Sequence, residues 1–545
     1  MRQSVDWWSL PACIAAAIVC TGLIACSAPT DNGPPADVTA AREVLRRGNG
    51  GEPQSLDPAL ADDIHAFNVL ADLYEGLVVE AADGSLRPGV AERWDVSPSG
   101  LEYDFFLREG AAWSNGEPVT AADFVYAFQR VVRPGSTAAY SFLLEPLRNH
   151  RAVLRGELPP EELGIRAVDS RHLKIELSAP TPYFPAILAM PITYPVHSDA
   201  SDPAAFHDPE HFVGNGPFVL AEWRLGEMIR LKKNPQFRDA ASVEIEAVDY
   251  LPITNPMTEL NMYRAGELDI TQTVPPAVFE QLRTEVGGEL RVAPSLGLYY
   301  LAFDLSEPPF DSKPLRQALT MSIDRQVLVS ILGRGERAAF GIVPPGVANH
   351  RGSTLPWQDL PDDERIARAR DFYRQAGFGD SSPLRIRFTY DVGDIHETVA
   401  LAVASMWRES LGVDVVLEKK EWGLFLATRA DRPSWDVMRF SWAGDYNDAT
   451  TFLDIFRSDS PQNLPGYRRS EFDQLLANAA DASDLQLRAG ELQRAEETLL
   501  GDYAVAPLYF FVSKHLVSPG IEGFRDNPLD RHPTRYLRWR ATAPD

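Results

Sequence analysis

Apolar side chains along this chain recur at two alternating spacings, one of two residues and one helical. LEYDFFLREG (101–110) alternates as a half-buried strand does and stops at a glycine. TAADFVYAFQRVV (120–132) places Thr120 as an N-cap before apolar residues at helical spacing. HLKIELSAP (172–180) reads as a strand stopped by proline, and VGNGPFVL (213–220) as a tight turn around Asn215 leading into another. KPLRQALTMSIDRQVLVSIL (313–332) predicts two short helices, with Pro314 in the first turn. PLRIRFTYD (383–391) is a strand, HETVALAVASMWRESLG (396–412) an amphipathic helix stopped by Gly412, and VDVVLEKKEW (413–422) a strand again. No repeat of fixed period appears, which argues against solenoids and propellers. Strand and helix keep alternating to the C-terminus, so the class is mixed α/β.

At 545 residues the chain is too long for one hydrophobic core, and its size suggests roughly three domains. The texture changes near 300–310, where LGLYYLAFDLSEPPFD turns aromatic and extended, so a boundary is expected there. A formal net charge of −25 repels phosphate backbones and makes nucleic acid a poor partner. It fits a soluble protein that tolerates being a monomer.

The cysteines are Cys13, Cys20 and Cys26, all near the N-terminus. LPACIAAAIVCTGLIAC is a short apolar run of small residues behind Arg2, too short for a comfortable membrane span. It ends in Leu23-Ile24-Ala25-Cys26, which resembles the lipobox of bacterial lipoproteins; an ordinary signal peptide or a short anchor helix is the alternative. On the lipobox reading 1–25 is the signal peptide and Cys26 carries the lipid. Residues 26–42, rich in Pro, Ala, Asp and Gly, are then a flexible tether.

Catalytic motifs are missing. The dipeptide Gly-Lys never occurs, so there is no phosphate-binding loop of the Walker type. GRGERA (333–338) follows a helical segment rather than a strand, and HETVA (396–400) has Ala400 where a zinc-binding helix needs its second histidine. No G-x-S-x-G elbow is present.

RFSWAGDYNDATTFLDIF (439–456) is left to explain. A strand-like run, Trp435–Trp442, breaks at Gly444, and Asp445 sits at the break between Trp442 and Tyr446. An aspartate there either satisfies its own turn or offers a carboxylate to a cationic ligand.

This segment, with HETVALAVASMWRESLGVDVVLEKKEWGLFLATR before it, resembles the periplasmic oligopeptide-binding proteins, the solute-binding subunits of ABC peptide importers. GNGGEPQSLDPAL (48–60), LYEGLVV (73–79), PGVAERWDVS (88–97), REGAAWSNGEPVTAADFVYAFQRV (108–131) and NGPFVLAEW (215–223) look like family landmarks in family order. The resemblance spans 43–540. It implies an α/β fold of two lobes joined by a hinge, with an additional third domain and a peptide enclosed between the lobes. Carried over, lobe I is 43–75, 200–300 and 510–545, the extra domain 76–199, and lobe II 301–509.

The resemblance also assigns residues. Asp445 takes the position that binds the peptide α-ammonium group. Arg439 matches an arginine that meets the peptide carboxylate at certain lengths, and His396 a histidine serving longer peptides. Trp442 matches the wall of a side-chain pocket, and Tyr140 a tyrosine bordering the first residue's pocket. Asn215 lies in a turn whose counterpart contacts peptide backbone, and Ser441–Ala443 would pair with the peptide as an added strand.

Three departures stand out. Asp62 stands about where well-known members have a glutamate. Gly297 and Ala443 replace a disulfide found in some members, and Glu307 replaces a basic residue before the PPF sequence. The reading is a non-enzymatic, lipid-anchored receptor in the periplasm or at the cell surface of a bacterium, with short peptides, ABC permease subunits and the membrane as partners, and no cofactor or metal. A specialised receptor for a cell-wall or signalling peptide is the alternative. An extracytoplasmic hydrolase would need a nucleophile or metal site that the motifs do not supply.

Overall fold

A computed structural model describes residues 44–541 except 199–202, 380, 431–434, 461 and 483. The expected signal peptide, Cys26 and the tether lie outside the described residues. No helix among those described is long and apolar enough to cross a membrane.

Local signals set the elements. The predicted helix at 120–132 forms as Ala121–Val131, with Asp123 reaching back to accept a 2.7 Å hydrogen bond from the Thr120 N–H. The helix Asp394–Leu411 stops at Gly412, whose left-handed φ of 72° suits only a residue without Cβ. Its Val399, Val403 and Trp407 recur every four residues and are fully buried, and the Trp407 indole N–H donates to the Leu319 carbonyl at 2.9 Å. That helix crosses between the parallel strands Arg385–Asp391 and Asp414–Lys420, as a βαβ unit requires.

Three principal sheets follow. One orders the strands Val44–Gly48, Ala247–Leu251, Met228–Lys233 and Phe218–Arg224. A second, all antiparallel, orders Ala91–Val96, Glu102–Leu107, His172–Glu176 and Ile165–Ala167. These two share one continuous apolar core, joining Leu45 and Val248 to Phe105, Phe124 and Phe128. The third sheet runs Arg337–Ala338, Val505–Leu516, Leu290–Phe303, Val437–Ala443, Arg385–Asp391 and Asp414–Lys420, around a separate core that includes Tyr300, Trp407 and Trp435. The result is two lobes with a third domain fused to the first.

Two long strands join the lobes. Leu290–Phe303 and Val505–Leu516 pair antiparallel from Leu290↔Leu516 to Ala302↔Val505. At one end Leu516 packs in a small cluster with Leu260, Phe279 and Leu282; at the other end the strands enter the large core. The register breaks between Pro294 and Leu298, as a bulge does where a ladder bends. The freed backbone finds other partners: Leu296 N–H donates to the Pro528 carbonyl, and the Leu296 carbonyl accepts from Gly444 N–H, both at 2.8 Å. The expected divisions at 300/301 and 509/510 therefore fall inside continuous strands rather than in linkers.

Candidate functional site

The strand Val437–Ala443 leads to the candidate acid. One edge pairs along its full length with Leu290–Phe303, from Phe303↔Val437 to Gly297↔Ala443. On the other edge Arg385–Asp391 pairs only with Val437 and Met438, so Ser441–Ala443 has no strand beside it there among the described residues. Side chains alternate along this stretch. Ser441 opens into a cavity of about 450 Å³ that it shares with Tyr299, His396 and Lys514, while Trp442 opens into another of about 490 Å³ that also holds Asp445.

Gly444 is closely packed, since a Cβ would sit 3.0–3.1 Å from Thr451 and the Phe452 ring. Thr451 Oγ1 accepts from both the Trp442 indole and the Asp445 backbone N–H, each at 3.4 Å. Three residues on, Asp448 is buried and bidentate with Arg488 at 2.7 and 2.8 Å, and also accepts from Thr450 N and Oγ1. Tyr446 stacks on Tyr183 of the third domain at 4.8 Å. Asp448 thus anchors the turn, and Asp445 is left over.

The Asp445 carboxylate accepts no hydrogen bond and joins no salt bridge among the described residues. Burial pushes it up to about 6, and the nearby Arg531 guanidinium pulls the other way. Arg531 is itself committed: it donates to Glu80 at 2.7 Å and to the Asp445 carbonyl at 3.4 Å. Asp445 is therefore a desolvated anion with a second-hand cation.

Tyr140 joins this group. Burial raises its phenol, the Asp445 and Asp62 charges add to the rise, and Arg531 opposes it. Its ring meets Phe67 edge-on at 5.6 Å, and Phe67 lies on the helix Ile64–Leu73, which Asp63 caps just after the exposed Asp62. His396 sits in the other cavity, its Nδ1 3.1 Å from the Tyr299 hydroxyl. Burial and then Arg439 hold it down to about 4, so it is a neutral hydrogen-bonding group at pH 7.

Two expected residues lie apart. Arg439 is buried and ion-paired to Asp391, with Phe425 under its guanidinium at 4.9 Å, and it lines neither cavity. A guanidinium taken out of water needs a resident counter-charge, and here Asp391 supplies it rather than a ligand. The Asn215 side chain is spent on the main chain of Glu75, accepting at 3.0 Å and donating at 2.9 Å. It braces the turn and lines neither of the two cavities.

Gly297 and Ala443 are direct partners across the two strands. A Cβ at 297 would fall 2.1 Å from Phe511 Cδ2 and 2.6 Å from its Cγ, so the ring occupies the space a cross-link would need.

Residues 85–463 match the bacterial extracellular solute-binding proteins, family 5, and the chain belongs to that family. The chain is 37% identical over 525 residues to the periplasmic oligopeptide-binding protein OppA of Salmonella typhimurium, covering 95% of this chain and 96% of the relative. Among solved structures it is similar to the unliganded open form of the murein tripeptide-binding protein MppA, with TM-score 0.84, 33% identity and coverage of 92% and 98%. Haemophilus influenzae OppA in complex with RPPGFSPFR gives TM-score 0.73 at the same 33% identity, covering 92% and 99%. The higher score falls to the structure described as unliganded and open.

Proposed function

We propose that the chain is an extracytoplasmic receptor that captures short peptides for an ABC importer and grips the peptide α-ammonium group with Asp445. One observation carries the reading: a desolvated carboxylate without a partner, at the end of a strand whose outer edge is open. A peptide N-terminus is the one cation all linear peptides share, so a receptor blind to side chains gains most by binding it. Laid along Ser441–Ala443, the peptide gains main-chain hydrogen bonds that no sequence change removes. Tyr140 and Asp62 flank the ammonium end, Trp442 walls the first cavity, and neutral His396 serves the far one. Closure brings lobe I (43–75, 200–300, 510–545) and its extra domain (76–199) onto lobe II (301–509), with the bulge at Pro294–Leu298 as the bend.

The similarity to the murein tripeptide-binding protein does not favour a specialised cell-wall ligand, because an oligopeptide-binding relative is at least as similar in sequence, 37% against 33% identity. The protein acts as a monomer in the periplasm, held to the membrane by lipid on Cys26. Export of a Cys26→Ser protein should leave it in the soluble fraction; a variant that stays with the membranes removes the anchor from the scheme.

The central test is calorimetric. A free tripeptide should bind about 3 kcal/mol, or roughly a hundredfold, more tightly than its N-acetylated form, because acetylation shuts the carboxylate away without a cation. Equal affinities rule out the ammonium role.

A further inference from the structure

The cavity beside Trp442 holds more charge than an α-ammonium group uses. Four charged side chains line it: Glu145, Asp445, Asp454 and Arg457. Two are spent outside the cavity, Glu145 on Arg151 and Arg457 on Asp459. The other two, Asp445 and Asp454, accept no hydrogen bond and join no ion pair among the described residues. Asp454 lies just past the helix Thr450–Leu453, half-buried, with its backbone carbonyl taken by Arg457 N–H and its carboxylate left over. Burial pushes that carboxylate up to about 7, against the pull of Arg457. Leu143, Tyr183, Ile187 and Ile455 add apolar wall to the same cavity of about 490 Å³. That suits an alkyl stem with a charged tip, with room left for water.

Resting on the peptide reading above, we propose that this cavity seats the side chain of the ligand's first residue and that Asp454 selects a cationic one: lysine, ornithine or arginine. Asp445 holds the α-ammonium and Asp454 the side-chain cation, so the two desolvated acids are neutralised by one dicationic residue. A norleucine side chain fills the same walls but leaves Asp454 unpaired, and a glutamate there opposes it.

The test compares three tripeptides by calorimetry: Lys-Ala-Ala, Nε-acetyl-Lys-Ala-Ala and norleucine-Ala-Ala. Wild-type protein should bind the first about tenfold more tightly than the other two, the worth of one charge-assisted hydrogen bond. In Asp454→Asn the three affinities should converge, and continued binding of the norleucine peptide reports a folded site. Where asparagine does not fold, Asp454→Ser takes its place, and the acetyl-lysine comparison on wild type needs no variant. Equal wild-type affinities for the lysine and acetyl-lysine peptides overturn the inference while leaving the peptide reading intact. A lysine preference that survives in Asp454→Asn overturns it as well. Failure of all three to bind wild type overturns both.

Discussion

Asp445→Asn should weaken tripeptide binding at pH 7.5 by about 3 kcal/mol, roughly a hundredfold. The asparagine keeps the size and turn geometry of the aspartate and removes only the charge. Calorimetry on wild type and variant reads the effect directly, and an asparagine variant with wild-type affinity sinks the assignment. A pH series adds a second readout. In the protein without peptide Asp445 is pushed up to about 6 by burial, while a peptide ammonium titrates only near pH 8. Binding the ammonium requires the carboxylate, so below pH 6 each unit of acidification should cost up to about tenfold in affinity. Affinity should be flat between pH 7 and 7.5, and the low-pH loss should vanish in the asparagine variant. Stability follows the opposite sign. A carboxyl whose folded pKa lies above its unfolded value favours the fold below the unfolded pKa, and that contribution is lost as pH rises through about 6. Without ligand at neutral pH, Asp445→Asn should therefore melt no lower than wild type. On the proposed reading, the acid that would serve the ligand is a burden to the empty protein.

Asp448→Ala should destabilise the second lobe by about 3–5 kcal/mol, because it strands the buried Arg488 guanidinium. The same change releases Thr450, which Asp448 holds through both N and Oγ1, and so loosens the turn that presents Asp445. Peptide affinity should fall along with the melting temperature. Pairing Asp448→Ala with Arg488→Met removes both charges and should regain part of the lost stability without regaining affinity. Thermal melts of both variants beside calorimetry separate the two effects. A single variant that melts like wild type contradicts the anchoring role.

The two aspartates of the 439–456 segment show what a sequence discloses. Gly444, Asp445 and the strand before them are contiguous, so their spacing alone marked a carboxylate at a chain reversal. The local stops were equally legible: Gly412 ends its helix because only a left-handed residue fits there. The partners of these groups were hidden, because long-range contacts leave no local pattern. Arg531, which tempers Asp445, comes from 86 residues further on. Asp391, which occupies Arg439, lies 48 residues before it. A buried ion pair and a ligand-binding arginine look the same in one dimension, so only the fold distinguishes them. The register break at Pro294–Leu298 left no mark for a related reason: a mid-strand bulge keeps the alternation of a strand on both sides.

The Phe511 ring beside Gly297 has a consequence for how this receptor matures. With a phenyl group where a sulfur bridge could have stood, and with every cysteine confined to positions 13, 20 and 26, residues 44–541 contain no thiol to oxidise. The body of the protein reaches its native form without an oxidising chaperone and keeps that form in a reductant.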